Sequence, residues 1–312
     1  MAKLTRRRFI TISAAVAAMP GAAFAGLPVA RWRGTALGAG ASMVLAGVSQ
    51  REAAPLLSRF QAELDRLEDI FSLYRPDSVL SRLNRDGRVD FPPAELLEVL
   101  SLSTTLHRLT DGAFDPTVQP LWSLYAAKAA RGEFPDSASI AAARRLTGWE
   151  SVRFDGTAIR FRREGMALTL NGIAQGYVSD RIADMLRTEG LKGVLVDMGE
   201  IHALGRRPDG KRWRVGIADP DGHVSPKRIS LGDRAVATSA PAGTILDPDG
   251  RIGHILDPRT GFPGGLWRQV TVSAPRAALA DGLSTAFCLM DRYRIGAALG
   301  GLRDTRLERI LV

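Results

Sequence analysis

A single cysteine, Cys288, stands in the 312-residue chain, so no disulfide can form within it. Cys288 lies in the apolar run Ala286-Phe287-Cys288-Leu289-Met290, where a thiol packs as a small hydrophobe rather than working as a nucleophile. The apolar run near the N-terminus, residues 10–18, is far short of the ~20 residues that a membrane-spanning helix needs. Long Lys/Arg tracts, internal repeats, low-complexity segments and flexible linkers are missing as well. What remains is ordinary globular composition, 45% hydrophobic and 24% charged, with enough length to bury a full core.

The formal charge of +9 divides unevenly. Residues 1–25 hold Lys3, Arg6, Arg7 and Arg8 and no acid; the rest has 38 basic and 33 acidic residues, an excess of five. That modest excess suits an anionic small molecule or an acidic partner, and equally a surface that is basic only for solubility. Nucleic acid is not expected as a partner.

Thr5-Arg6-Arg7-Arg8-Phe9-Ile10 is a twin-arginine pattern, followed by the apolar run and by Ala23-Phe24-Ala25, small residues at the two positions a signal peptidase reads. The reading is an export signal of the folded-protein (Tat) route, cleaved after Ala25, a periplasmic destination, and one domain over residues 26–312.

Residues 31–37 and 42–48 read as a hairpin about Gly38-Ala39-Gly40. A helix follows from Ser49, with Ala53, Leu56, Leu57, Phe60, Leu64, Leu67, Ile70 and Phe71 on one face. Ser78 can cap a short helix, and Pro92-Pro93 opens another that ends before Asp111-Gly112. Residues 120–146 look helical, divided by Gly132 and Pro135; residues 151–170 return to short strands. Asn171-Gly172-Ile173-Ala174-Gln175-Gly176-Tyr177 leads into a helix to Thr188, whose N-terminal N–H groups suit an anion, although close packing explains its two glycines equally well. Residues 193–198 form a buried strand, and residues 201–231 a meander of short strands.

The densest chemistry falls between Val236 and Thr285. Asp281 and Thr285, spaced i, i+4 near a helix start, share one face and offer hard oxygen ligands suited to Mg²⁺. Asp281 could as well serve only to stabilise that helix N-terminus. His254, one of four histidines, is the natural base near neutrality, with Asp257 three residues on; a lone histidine in a strand is often structural.

Seven segments together resemble the ApbE family of FAD:protein FMN transferases, over nearly all of the chain after the signal. They are Gly34 with Leu37-Gly38; Phe71-Ser72 with Tyr74; Asp111-Gly112-Ala113-Phe114-Asp115-Pro116; Gly172-Ile173-Ala174 with Gly176-Tyr177; Ala237-Thr238-Ser239; His254-Ile255-Leu256-Asp257-Pro258-Arg259-Thr260-Gly261; and Ala280-Asp281 with Thr285. The resemblance implies an α+β fold of two interlocked subdomains with FAD in the cleft between them. It implies Mg²⁺ held by the side chains of Asp281 and Thr285 and a backbone oxygen of Gly172. It places Leu37, Tyr74, Ala113, Phe114, Asp115, Gln175 and His254 at the flavin nucleotide and His254 in catalysis; either His254 or Asp257 would deprotonate the acceptor hydroxyl. The sequence departs from the family at Gln175, where Lys is usual, near Thr169-Leu170, where an Asp is usual, at Ala240 of Thr-Ser-Gly, and at Gly199-Glu200, where paired glycines are usual.

The implied reaction is transfer of FMN from FAD to a threonine of an acceptor protein through a phosphoester, releasing AMP. The acceptor would be an exported or membrane-anchored electron-transfer protein. Two alternatives use the same residues: an exported FAD-binding accessory protein without transfer chemistry, and a Mg²⁺-dependent FAD pyrophosphatase in which water replaces threonine.

Overall fold

The computed structural model describes residues 27–312 apart from Pro248, and the backbone but not the side chains of Pro226 and Lys227. The export signal expected in residues 1–25 lies outside the described residues. Strands β1 (Val29–Ala36) and β2 (Ala39–Ala46) pair antiparallel with Ala36 opposite Ala39, which leaves Leu37 and Gly38 as a two-residue turn. Both have positive φ, 50° and 85°, the geometry whose twist suits a tight hairpin. The turn is thus one residue earlier than the glycine pattern indicated. Leu37 tolerates a conformation costly for a side chain because its N–H donates to Glu68 Oε1 at 2.8 Å.

Helix α1 (Gln50–Phe71) starts in a capping box between Ser49 and Glu52 and buries Ala53, Phe60, Leu64, Leu67, Ile70 and Phe71 along one stripe. Then come α2 (Val79–Asp86), capped by Ser78, strand β3 (Arg88–Asp90), α3 (Ala94–Leu109), α4 (Gln119–Ala129) and α5 (Ser137–Arg144). Strands β4 (Val152–Phe154) and β5 (Ala158–Phe161) join β3 in a three-stranded antiparallel sheet. The strand expected to continue to residue 170 is not formed. Asn84 bonds that segment instead, its Nδ2 donating to Leu168 O at 2.8 Å and its Oδ1 accepting Leu168 N–H at 2.7 Å, so a side chain stands where a strand partner would.

The second half supplies α6 (Ala174–Thr188), β6 (Gly193–Asp197), β7 (Ile201–Gly205), β8 (Trp213–Ala218), β9 (Val224–Leu231), β10 (Arg234–Ser239), β11 (Gln269–Ala274), α7 (Ala277–Phe287), α8 (Arg292–Gly300) and β12 (Arg306–Leu311). The main sheet runs β1-β2-β6-β7-β10-β11-β12, antiparallel throughout, and β8 and β9 leave the expected meander to pair as a separate ribbon. Strand residues alternate between faces. Val194, Val196, Leu204 and Ala237 enter the large core shared with the helices, whereas Leu195, Ile201, Ala203 and Val236 pack against Trp213, Val215, Ile217 and Ile229 of the ribbon. Burial on both faces explains why these strands read as unbroken apolar runs. Leu80, Leu96, Val152 and Ile159 of the first half belong to the same large core as Val194 and Val270 of the second, so the two α+β units are interlocked.

Helices α6 and α7 cross in backbone contact. A Cβ on Gly176 would lie 2.5 Å from Ala277 O and 2.7 Å from Ala278 Cα. Each helix also caps the other. Asp281 Oδ2 of α7 accepts Gly176 N–H at 3.1 Å, while Asp180 of α6 accepts Ala277 N–H at 2.7 Å and Ala278 N–H at 3.0 Å. Asp180 also holds buried His202 Nδ1 at 2.8 Å. Helix α7 starts at Ala277, with no acid in its first turn, so Asp281 does not stabilise the N-terminus of its own helix. It stabilises that of α6.

Candidate active site

A cavity of about 240 Å³ opens where the β1–β2 turn, the segment leading into α6, the β6–β7 connection, β10, residues 240–256 and α7 meet. Leu37, Tyr74, Gly172, Gln175, His254, Asp281 and Thr285 all line it, brought together from segments scattered through the sequence.

The Leu37–Tyr74 wall is held by one carboxylate. Glu68 takes Leu37 N–H with Oε1 and Arg75 Nη2 with Oε2, joining the hairpin turn to the loop after α1. Tyr74 N–H donates to Ser72 Oγ at 3.0 Å, and the Tyr74 ring lies where a Cβ on Gly38 would touch it at 3.4 Å. Opposite, Gly172 faces Thr285 so closely that a Cβ would sit 3.0 Å from Thr285 Oγ1. Thr285 Oγ1 is 3.2 Å from Ser239 Oγ, which is itself 2.8 Å from Ser284 Oγ. Asp281, a turn earlier on α7, is buried beside them. Burial, resisted by its bond from Gly176 N–H and reinforced by the charge of Asp180, pushes its carboxyl up to about 7.

Glu200, just past Gly199 between β6 and β7, also lines the cavity although it was not singled out as a site residue. Burial and then the charges of Asp281 and Asp197 push it well above the usual carboxylate range. Among the described residues no Lys or Arg lines the cavity. Two buried carboxylates without a basic partner are costly. Beside them the lining offers neutral donors that include the Thr285 and Ser239 hydroxyls, the amides of Asn171 and Gln175 and peptide oxygens. This donor set fits a hard divalent cation. Asp219, Asp221 and His223 also gather, on the exposed β8–β9 turn, but there Asp219 accepts the backbone N–H of Asp221 and His223, and Asp221 pairs with Arg268.

His254 reaches the cavity from a loop pair. Its N–H donates to Thr244 O at 3.0 Å and its Nδ1 accepts Thr244 N–H at 3.3 Å. Burial holds the imidazole below its usual value, against the pull of backbone groups of Thr244 and Pro241, so the ring is neutral at pH 7. Gln175 lies flat on Gly199, where a Cβ would be 2.9 Å from Gln175 Cδ. At φ 103° that position needs glycine for the backbone conformation as well.

Four residues expected at the site are elsewhere. Ala113, Phe114 and Asp115 do not line the cavity. Ala113 and Phe114 are buried in the large core, with Phe114 filling the space against Gly282 of α7, one residue from Asp281. The Asp115 carboxylate is used up in accepting Thr117 N–H at 2.8 Å, Thr117 Oγ1 at 2.6 Å and Trp149 N–H at 3.2 Å. Asp257 is likewise not a lining residue. Its oxygens take Arg259 Nε at 2.9 Å and Arg259 Nη2 at 2.8 Å, and although burial raises it, the arginine holds it below the ordinary value. A carboxylate so paired is a poor base. Asp257 shapes the turn after His254 instead, with its N–H on Phe262 O and its carbonyl accepting Gly261 N–H.

Residues 37–305 match the sequence model of the ApbE family. The chain belongs to the ApbE family. An FAD:protein FMN transferase of Vibrio cholerae serotype O1 is 34% identical over 247 residues, 75% of this chain and 74% of that protein. One of Klebsiella pneumoniae is 30% identical over 258 residues, 78% of this chain and 73% of that protein. Among solved structures, the flavin transferase ApbE from Vibrio cholerae superposes with a TM-score of 0.76 at 28% identity, covering 91% of this chain and 98% of the other. The apo form of the Pseudomonas stutzeri flavinyl transferase ApbE superposes with a TM-score of 0.75 at 31% identity, covering 88% and 89%. These ApbE structures share the α+β architecture described above. Within the ApbE fold, sequence reasoning missed Glu200 and Asp180. Asp180 gives no sequence signal, being one of two aspartates on its helix, with Asp184. Glu200 gave a faint one, a carboxylate directly after a glycine at the end of an apolar strand.

Proposed function

We propose that this chain is an FAD:protein FMN transferase that moves FMN from FAD to a threonine hydroxyl of an acceptor protein with release of AMP. The observation that carries the site assignment is the convergence of Gly172, Asp281 and Thr285 on one wall of a cavity with no Lys or Arg among its described lining residues. A dinucleotide diphosphate cannot settle against bare carboxylates, and a divalent cation removes that conflict. Asp281, Thr285 and the backbone oxygen of Gly172 would hold Mg²⁺. Bound there, Mg²⁺ would neutralise the diphosphate and stabilise the departing AMP.

The protein's own part is positioning and proton transfer. Leu37 and Tyr74 form the apolar wall for the flavin end, and Gln175 offers an amide to the substrate in place of a charge. Neutral His254 takes the proton of the acceptor hydroxyl as that oxygen bonds the phosphorus of the FMN half. The bond from that phosphorus to the bridging oxygen breaks, and the electron pair leaves with AMP. The twin-arginine pattern supports a periplasmic enzyme that serves an exported or membrane-anchored acceptor.

The test is to incubate the purified protein with FAD, Mg²⁺ and a threonine-bearing acceptor, reading AMP by chromatography and flavinylation by mass. Transfer that stops in a folded Asp281→Ala variant is the expected result. Free FMN with no acceptor modification would establish a pyrophosphatase, and full flavinylation by Asp281→Ala would remove Asp281 from the chemistry.

A further inference from the structure

We infer that Glu200 is a further carboxylate ligand of the divalent cation, so that this chain binds the metal before the nucleotide arrives. The inference rests on the reading of the cavity as a metal and FAD site.

Glu200 is 7% exposed and what it exposes belongs to the cavity wall. Its backbone is fixed on two sides, Glu200 O accepting Ser179 Oγ at 2.8 Å and Met198 N–H at 3.3 Å. Its Oε2 accepts Thr238 N–H at 3.2 Å, and no other protein group bonds the carboxylate among the described residues. No Lys, Arg or His pairs with it there either. The next residue of that strand, Ser239, bonds Thr285 Oγ1 at 3.2 Å. The carboxylate is therefore anchored in the lining it shares with Asp281 and Thr285, one oxygen held by Thr238 N–H and the other bonded by no protein group among the described residues.

A buried carboxylate held in place but half unpaired needs a ligand to repay its desolvation. Asp281 shares the cavity, and the two together carry the charge that balances one divalent cation. One carboxylate with neutral oxygens would leave the second positive charge for the substrate to meet. Two let the protein hold the ion unaided, which suits a cavity without Lys or Arg in its described lining.

The experiment is titration of metal-free protein with Mn²⁺, free ion read by electron paramagnetic resonance, alongside melting curves with and without Mg²⁺. Wild type should bind one Mn²⁺ without FAD. Glu200→Gln, which keeps the acceptor for Thr238 N–H, should bind at least tenfold more weakly while its metal-free melting temperature is unchanged or raised, because one of two crowded carboxylates is gone. A merely structural glutamate would give the opposite pair, a lowered melting temperature and unchanged Mn²⁺ affinity. Wild-type affinity in folded Glu200→Gln overturns the inference, and a raised KM for FAD with it would move Glu200 to the nucleotide. If Glu200→Gln does not fold, Glu200→Asp, which withdraws the charge by one methylene, is read by the same affinity criterion. No Mn²⁺ binding by wild type with or without FAD would sink the metal reading of the whole cavity.

Discussion

The crossing of α6 and α7 makes a quantitative demand on Gly176. In Gly176→Ala the new methyl would meet Ala277 O at 2.5 Å, Ala277 C at 2.6 Å and Ala278 Cα at 2.7 Å, all backbone atoms that no rotamer change can move. Reaching ordinary contact requires the helices to part by roughly 1 Å. Overpacking of this kind costs ~1–3 kcal/mol, and here belongs at the upper end because the obstacle is rigid. The same displacement weakens three cross-caps, each worth ~1 kcal/mol when intact: Asp281 to Gly176 N–H, and Asp180 to Ala277 and Ala278 N–H. A loss of ~3–5 kcal/mol follows, on the order of 10 °C in melting temperature. Catalysis should suffer beyond stability, because α7 carries Asp281 and Thr285 away from Gly172, and a shift of roughly 1 Å costs ~100-fold in rate. Urea unfolding and AMP release, both at a temperature where the variant is fully folded, measure the two effects. The control is Gly296→Ala in α8, where nothing lies within 4 Å of the added carbon and φ is unexceptional. That change should stabilise by ~0.5–1 kcal/mol, the ordinary gain of replacing glycine in a helix. A Gly176→Ala protein as stable and active as wild type would refute the backbone-contact account.

His254 should impose an acid limb on transfer. Its folded value lies below the ordinary ~6.5, so the rate holds down to that pH and falls only as pH drops through the lower, folded value. Stability follows the same sign: the unfolded chain binds the proton first, so stability is complete above ~6.5 and declines as pH falls through the window beneath it. His254→Gln should abolish the limb in a pH–rate profile while Asp257→Asn leaves it in place; a limb lost with Asp257 instead would restore that carboxylate as the base. Cys288, whose thiol burial pushes far up, should resist alkylation at pH 8 in the native protein and react only after unfolding. Rapid native labelling by mass spectrometry would contradict its placement in the core.

Local patterning was legible wherever local physics decides. The helix start at Ser49, the apolar stripe of α1, the Ser78 cap and the break at Gly112 follow from neighbours in sequence, whereas the short helix read as ending at Leu83 runs on to Asp86, where Gly87 stops it. The hairpin was legible but its turn moved one residue, because positive φ at Leu37 is stabilised by Glu68, thirty-one positions away. The segment 162–170 was misread because a distant side chain, Asn84, satisfies the backbone groups that otherwise call for a strand.

At the cavity the division is similar. Spacing alone put the Asp281 and Thr285 oxygens on one face, because an i, i+4 pair shares a face wherever its helix lies, and left their role open; the family resemblance pointed to the site, and the structure places both, with His254, in the cavity lining. Which acids face the cavity was settled by partners. Asp257 and Asp115 looked as chemical as Asp281 in sequence, yet one is neutralised by Arg259 and the other consumed by Thr117 and Trp149. Glu200 looked like an ordinary strand-end acid until Ser179 and Thr238 anchored it in the cavity wall. A sequence determines which groups a chain owns and the faces they share over a few residues. Whether a carboxylate is spent on a neighbour or left free for a ligand depends on groups folding brings from a hundred residues away, and only the tertiary structure decides that.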